Sequence, residues 1–208
     1  MPPPRAVSPL EPERSERVVA HTALSTSDAE LVQKALEGSA WAEAALCRRH
    51  VRPLLGMLTR LLGSSIDADD VAQDAVVAAL ESLARLRNPA QFRTWLYGIA
   101  ANLAKRRLRR RRFEQLLGLS PSAERPDLEV FGSRAISPES QAELAMIEAK
   151  VLRLPLDLRI AWSLRFVEGY ELIEVAEICG CSLATLKRRL DKAQARLQVY
   201  LRLERTER

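Results

Sequence analysis

The chain has 208 residues, of which 47% are apolar and 28% charged, with a formal net charge of +5. This length allows one domain or two small ones, and the positive charge favours nucleic acid over acidic small molecules as a partner. No apolar run approaches the roughly 20 residues that a membrane-spanning helix requires. The cysteines Cys47, Cys179 and Cys181 form no even disulfide framework, which indicates a reducing, cytoplasmic compartment.

The first 25 residues predict a disordered leader. Residues 1–17 contain five prolines among scattered charges and lack the apolar segment of a secretory signal. A metal site is not indicated, because Cys179-Gly180-Cys181 is too tight for a zinc knuckle and the only histidines are His21 and His50. We therefore expect no metal and no cofactor.

Residues 26–112 predict a first helical block. Ser27 and Glu30 are spaced as a capping box, and Gly38 is placed to end the first helix. A second helix is predicted over 41–62, where Pro53 should kink or divide it. A third runs from Asp67 to about residue 86, before a break at Arg87-Asn88-Pro89-Ala90. No alternating strand pattern occurs, so the predicted fold class is all-α.

The fourth predicted helix, 92–112, joins aromatic residues to a dense basic run. One helical stripe is apolar and includes Trp95, which this pattern places in the core, whereas Tyr97 lies on another face and is expected to be exposed. Seven of the eight residues from Lys105 to Arg112 are basic. Like charges at this density repel one another unless a polyanion is near, and aromatic rings accept unstacked bases. The helix thus favours nucleic acid whose strands are separating over a merely solvated helix end.

Residues 113–139 predict an irregular, mildly acidic linker, because prolines, glycines and carboxylates recur there. A second helical block is predicted over 140–203. Within it a short apolar helix, Gly180, and a helix capped by Ser182 indicate a helix-turn-helix, whose second helix enters the major groove. The polar and basic side chains expected to face outward are Thr185, Lys187, Arg188, Arg189 and Lys192. The alternative is an ordinary helical hairpin with a charged exterior.

The acidic start of the third helix allows two interpretations. Clustered carboxylates can hold magnesium for phosphoryl chemistry, which is the basis of a nuclease hypothesis. Acidic residues in a first helical turn are also stabilised by the helix dipole, which accounts for residues 67–70 without a metal. No histidine or phosphate-binding lysine loop accompanies them, so Asp70, Gln73 and Asp74 are interpreted as a protein-docking surface, and no enzyme activity is expected.

Taken together, these segments resemble the extracytoplasmic-function group of the bacterial sigma-70 family. The matching segments are 67–74 (DADDVAQD), 92–104 (FRTWLYGIAANLA), 154–155 (LP), 164–170 (LRFVEGY), 174–177 (EVAE) and 182–190 (SLATLKRRL). They cover both helical blocks in the family's order and leave only the leader and the linker outside. Ala101, Arg188 and Asp191 depart from the residues common in the family, which leaves the promoter sequence open.

The resemblance implies that 26–112 is sigma region 2, which binds the clamp helices of RNA polymerase and opens the minus-ten element. It implies that 140–203 is sigma region 4, which reads the minus-thirty-five element, and that the linker follows the RNA path of the polymerase. The implied partners are core RNA polymerase and promoter DNA, both double- and single-stranded, and the resemblance leaves room for an anti-sigma factor. The alternative function is a stand-alone helix-turn-helix regulator.

The residues carried over by the resemblance form three sets. The polymerase-binding set is Asp67, Asp70, Gln73 and Asp74. The minus-ten set is Arg87, Asn88, Tyr97, Asn102, Lys105, Arg106 and Arg107, in which the loop captures a flipped base and the cations hold the backbone. The minus-thirty-five set is Ser182, Thr185, Lys187, Arg188, Arg189 and Lys192.

Overall fold

The computed structural model of the protein describes residues 26–118 and 146–206, and the described residues contain helices but no strands. The first block consists of α1 (Asp28–Leu36), α2 (Ala40–Leu62), α3 (Ser65–Glu81) and α4 (Phe92–Leu116), with 3₁₀ turns at Leu83–Arg85 and Pro89–Gln91 between α3 and α4. The second block consists of α5 (146–152), α6 (Leu156–Phe166), α7 (Leu172–Cys179) and α8 (Leu183–Thr206). The all-α prediction is confirmed.

Local capping signals fix most of the helix ends. Ser27 and Glu30 form the predicted reciprocal capping box at the start of α1. Gly63 and Gly180 adopt left-handed backbone angles, with φ of 68° and 61°, and end α2 and α7. Ser182 accepts a hydrogen bond from the Thr185 amide at 3.2 Å, which confirms it as the cap of α8.

Of the two outcomes expected for Pro53, a kink or a division, the structure excludes division, because Pro53 lies inside one continuous α2. Three other sequence expectations about the helices differ from the structure. The helix predicted to reach residue 86 ends at Glu81 and continues as a 3₁₀ turn, and α4 extends to Leu116 instead of ending at residue 112. Phe166, expected in the core, is 49% exposed at the end of α6. The leader and residues 119–145 of the linker and second block lie outside the described residues.

The two helical blocks lie in direct contact. α6 packs against α2, and α7 packs against α4. One hydrophobic core therefore continues from Leu46 and Ala100 in the first block to Ile160 and Val175 in the second. A smaller cluster beneath α5, α6 and α8 includes Leu154.

Within residues 26–118 and 146–206, no helix is both long and apolar enough to cross a membrane. The same part of the chain contains no cluster of histidine, cysteine and carboxylate side chains suited to a metal ion.

Candidate nucleic-acid interface

Helix α4 carries the aromatic-basic segment and is covered by helices of both blocks. It packs against α2 and α3 of its own block and against α7 of the second. Gly98 faces α7, and a Cβ added there would lie 3.9 Å from the Cα of Ile178. A helix covered in this way needs apolar residues on more than one face, which is why its periodicity did not separate a core face from an exposed one.

Tyr97 is buried in this arrangement, so the expectation that it is exposed is wrong. It is 0% exposed and packs edge to face on Tyr170 of the second block, with ring centroids 5.4 Å apart. The guanidinium of Arg93 lies 4.3 Å from the Tyr170 ring and 5.6 Å from the Tyr97 ring. Burial raises the pKa of both phenols. Tyr97 can reach a base only if the two blocks separate.

A groove of about 430 Å³ lies beside α4, between the two blocks. The first block lines it with Asn88, Trp95 and Asn102, and the second block closes one side with Glu177 and Gly180. Trp95 packs against the core, as expected, but it is only half-buried and also lines the groove. A groove that holds an aromatic ring and two amides is chemically suited to an unstacked base.

The loop before α4 is more ordered than its sequence suggested. The side-chain oxygen of Asn88 accepts a hydrogen bond from the Ala90 amide at 3.1 Å and caps the 3₁₀ turn Pro89–Gln91. One polar atom of Asn88 is thus already used, although its amide nitrogen remains available. Arg85 and Gln91 also line the groove and were missed in the sequence analysis. Their positions next to the predicted break were the signal for them.

The basic run of α4 is partly paired inside the molecule. Lys105 lies 3.7 Å from Asp157 of α6, and Arg110 pairs with Glu114 at 2.7 Å. Arg106 and Arg109 are exposed. The sequence density of the run therefore overstates the positive charge that is free to contact phosphates.

Asp67 does not lie on the exposed acidic surface on which the sequence placed it. Its side chain is 4% exposed and binds Arg107 and Arg111 of α4 at 2.7 Å and 2.6 Å. The hydrogen bonds to Asp67 raise the pKa of Arg107. The other three predicted docking residues, Asp70, Gln73 and Asp74, are exposed on α3.

The helix-turn-helix places its second helix, α8, with most of its predicted contact residues outward. Lys187, Arg188 and Lys192 are exposed, and Arg188 donates to the Thr185 hydroxyl at 3.3 Å. Arg189 differs from the prediction, because its side chain is only 23% exposed and lies 3.7 Å from Asp157. Arg189 is therefore not among the exposed cations of α8 in this arrangement.

The contact between the blocks is rich in polar and charged groups. Arg60 of α2 pairs with Glu168, and Arg159 of α6 donates to the Leu61 carbonyl at 2.6 Å, capping the last turn of α2. Burial lowers the pKa of Arg159 to about 10. The Tyr170 hydroxyl is buried and has no hydrogen-bond partner among the described residues. The contact between the blocks thus combines a shared apolar core with charged and polar pairs, a composition also found between domains that move relative to one another.

The cysteines show no sign of reactivity. All three are free thiols, and burial, followed by the neighbouring Cys181, raises the pKa of Cys179 to about 11. A protonated, buried thiol is a poor nucleophile. Cys181 occupies the turn of the helix-turn-helix, as the sequence predicted.

Within the part of the chain that the structure describes, a groove beside a basic helix is followed by a helix-turn-helix, an arrangement typical of proteins that bind DNA. The sigma-70 region 2 family model matches residues 46–114. The chain is 33% identical to the RNA polymerase sigma-H factor of Pseudomonas aeruginosa over 80% of this chain and 90% of that protein. It is 31% identical to the ECF RNA polymerase sigma-E factor of Haemophilus influenzae over 83% of this chain and 94% of that protein.

Two solved structures share the fold. CnrH in complex with the cytosolic domain of CnrY has a TM-score of 0.61 and 26% identity, covering 86% of this chain and 99% of that one. The sigma factor RpoE of Bartonella quintana, solved with the anti-sigma factor NepR, has a TM-score of 0.61 and 23% identity, covering 73% of this chain and 91% of that one.

The chain belongs to the extracytoplasmic-function sigma factors of the sigma-70 family. It is accordingly a subunit that binds core RNA polymerase and directs promoter-specific initiation of transcription. The alternative of a stand-alone helix-turn-helix regulator is not favoured, because the relatives match across both helical blocks.

Proposed function

We propose that the groove beside α4 is the site at which this sigma factor captures a base of the opened minus-ten element. The observation that supports this most strongly is that the half-buried Trp95 lines the same groove as Asn88 and Asn102, so that the groove combines a stacking surface with amides that can read a base edge. Arg87 and the cations Lys105, Arg106 and Arg107 extend from the groove along the loop and α4 and would hold the displaced backbone.

The polymerase-docking surface in this proposal is the exposed face of α3 that carries Asp70, Gln73 and Asp74. Carboxylates on an exposed helix face can pair with cations on the polymerase. The same residues catalyse nothing in this proposal, and the protein acts in the cytoplasm as a non-enzymatic subunit. The linker, which carries negative charge, would follow the path of the RNA.

The minus-thirty-five surface in this proposal is the start of α8. Ser182 fixes the start of the helix, and Thr185, Lys187, Arg188 and Lys192 provide its contacts with bases and phosphates. Arg189 joins them only if it leaves Asp157.

Minus-ten capture also requires the two helical blocks to separate. Tyr97 is covered by Tyr170, and Glu177 would place a carboxylate beside the DNA backbone. The packed arrangement is therefore a closed form, and polymerase would hold the open one. An anti-sigma factor in this scheme is a partner that stabilises the closed form.

The test is a pair of substitutions in the groove. Asn88→Ser keeps a capping oxygen for the Ala90 amide and removes the amide donor, and Asn102→Ala removes an exposed amide. The double variant, as holoenzyme on a promoter selected by the wild-type holoenzyme, should keep closed-complex formation and lose permanganate reactivity of the minus-ten thymines. Flipping a base out of the stack costs a few kcal/mol, so loss of the pocket that receives it should impair opening more than initial binding.

A matched control is Gln115→Ala, which removes an exposed amide near the far end of α4 and should open the promoter normally. Transcription by the double variant should return on a pre-melted template. Equal inactivity on pre-melted and duplex templates would show that the groove does not serve strand opening.

A further inference from the structure

Asp67 is the most completely enclosed carboxylate of α3, and its surroundings are cationic. One of its oxygens accepts hydrogen bonds from the Nε and Nη2 groups of Arg107, at 2.9 Å and 2.7 Å. The other oxygen lies 2.6 Å from Nη1 of Arg111, one helical turn further along α4. A buried charge is unfavourable unless it is paired, so this geometry ties the start of α3 firmly to the basic segment of α4.

Arg107 is held by one edge only. Its side chain remains 34% exposed. Asp67 uses Nε and Nη2 of Arg107, while Nη1 of that residue has no hydrogen-bond partner among the described residues. An arginine whose planar fork is fixed on one side loses less side-chain entropy when its other side binds a phosphate.

Asp70 forms a weaker ion pair with Arg107. Its carboxylate lies 3.1 Å from Nη2 of Arg107, but the side chain is 57% exposed. Its charge is therefore largely solvated and remains available to a partner protein. Asp67 is thus buried and paired within the molecule, whereas Asp70 is exposed to solvent.

We propose that Asp67 is a positioning residue that holds Arg107 in place to bind the backbone of opened minus-ten DNA. It does not dock the polymerase, and it acts on DNA only through Arg107. This inference rests on the proposed minus-ten function of α4, so its test must separate failure of the one from failure of the other.

The test is a double-mutant cycle on the reconstituted holoenzyme. Asp67→Asn removes the charge, and Arg107→Lys keeps the charge of residue 107 but cannot form the two-pronged contact with Asp67. Binding is measured by fluorescence anisotropy on a fork-junction fragment of the selected promoter whose minus-ten element is single-stranded. Each single variant should weaken binding roughly three- to tenfold, and adding Arg107→Lys to Asp67→Asn should change binding less than twofold.

Three controls accompany the cycle. Asp69→Asn removes an exposed carboxylate two residues away and should bind DNA as the wild type does. Core polymerase should co-purify with Asp67→Asn in normal amounts. If Asp67→Asn loses its helical circular dichroism, the comparison of Arg107→Lys with wild type alone decides, because that side chain is partly exposed and the substitution keeps its charge.

Each outcome bears on one of the two proposals. If Arg107→Ala leaves fork-junction affinity unchanged, the proposed minus-ten assignment of α4 fails. If Arg107→Ala weakens binding while Asp67→Asn is silent, additive with Arg107→Lys or tighter-binding, the positioning role alone is overturned. Loss of polymerase binding by Asp67→Asn, with intact circular dichroism, would return the residue to the docking surface. Wild-type binding by Arg107→Lys also overturns the positioning role.

Discussion

The two proposed DNA surfaces differ in how much of each is accessible while the helical blocks are packed together. On α8, Lys187, Arg188 and Lys192 point into solvent. On the minus-ten side, Tyr97 is covered by Tyr170, and the groove has one wall from the second block. The closed form therefore presents a duplex-reading helix but withholds the surface for opened DNA, which matches the order in which a promoter is first bound and then melted.

The largest expected effect concerns a surface that the closed form leaves exposed. Reversing charge in Asp70→Lys with Asp74→Lys should weaken assembly with core polymerase by about 2–5 kcal/mol, because interface charges that lose their partners become unfavourable. The measurement is co-purification followed by a binding titration, with helical circular dichroism preserved. The control is Glu81→Lys, which reverses an exposed charge at the end of α3. An equal loss of polymerase binding in this variant would show that the effect comes from net charge and not from a docking surface.

The open surface of α8 can be tested base by base. Arg188→Ala should relax discrimination at one base pair of the minus-thirty-five element by about 1–3 kcal/mol, since arginine reads guanine through two hydrogen bonds. Lys187→Ala should weaken all sequences alike. A promoter scan with holoenzyme separates the two behaviours, and a uniform loss for Arg188→Ala would make it a phosphate contact.

The covered surface can be exposed by a larger side chain at Gly98, where α4 faces α7. Gly98→Ala adds a Cβ in ordinary contact with Ile178, so it should keep the closed form and stabilise α4 by about 0.5–1 kcal/mol. Gly98→Leu should overpack the contact, disfavour the closed form by about 1–3 kcal/mol and enlarge the radius of gyration of the free protein. Identical small-angle scattering from both variants would contradict a contact that tight.

The smallest expected effect is a pH dependence of folding stability that arises elsewhere in the contact between the two blocks. Glu148 borders a cavity of about 70 Å³ together with Arg60 and Ser163, and burial raises its pKa to about 7. The folded protein thus holds a proton that the unfolded chain releases between about pH 4.5 and 7, so Glu148 contributes stability below that window and loses it as pH rises.

Glu148→Gln should remove this pH-dependent contribution to the free energy of unfolding. Because the side chain is half-buried, we discount the effect to about 1 kcal/mol, which is roughly 2–4 °C in the melting temperature. The difference between wild type and Glu148→Gln should grow from pH 5 to pH 8 in thermal unfolding followed by circular dichroism. A constant difference would mean that Glu148 does not titrate in this range.

Sequence reasoning succeeded where the cause is local and failed where it is not. Ser27, Gly180 and Ser182 cap their helices through contacts within a few residues, and periodicity is enough to find the helices themselves. The burial of Asp67 depends on an arginine 40 residues away in the sequence. That of Tyr97 depends on the other helical block.

The candidate site residues show the same difference between positions that local sequence determines and positions that distant helices determine. Asp70, Gln73 and Asp74 are exposed as expected, because no helix within residues 26–118 and 146–206 covers that side of α3. Arg189 lies three residues from the core position Leu186, and only the placement of α6 decides that it turns towards Asp157. Trp95 was assigned to the core by its periodicity, and no property of the sequence could distinguish a core side from a groove wall.

Asp157 gives ionic strength two opposing effects on this protein. Its half-exposed carboxylate lies 3.7 Å from Lys105 and 3.7 Å from Arg189, one cation from each proposed DNA surface. Added salt screens the Lys105–Asp157 pair, which joins the two blocks, and so favours their separation; it also loosens the Arg189–Asp157 pair within the second block. The same salt weakens every phosphate contact that the separated blocks then make. The salt dependence of promoter binding by the whole chain should therefore be shallower than its number of phosphate contacts implies. The reason is that salt also weakens the ion pair that holds the two blocks together, and this favours the DNA-binding form.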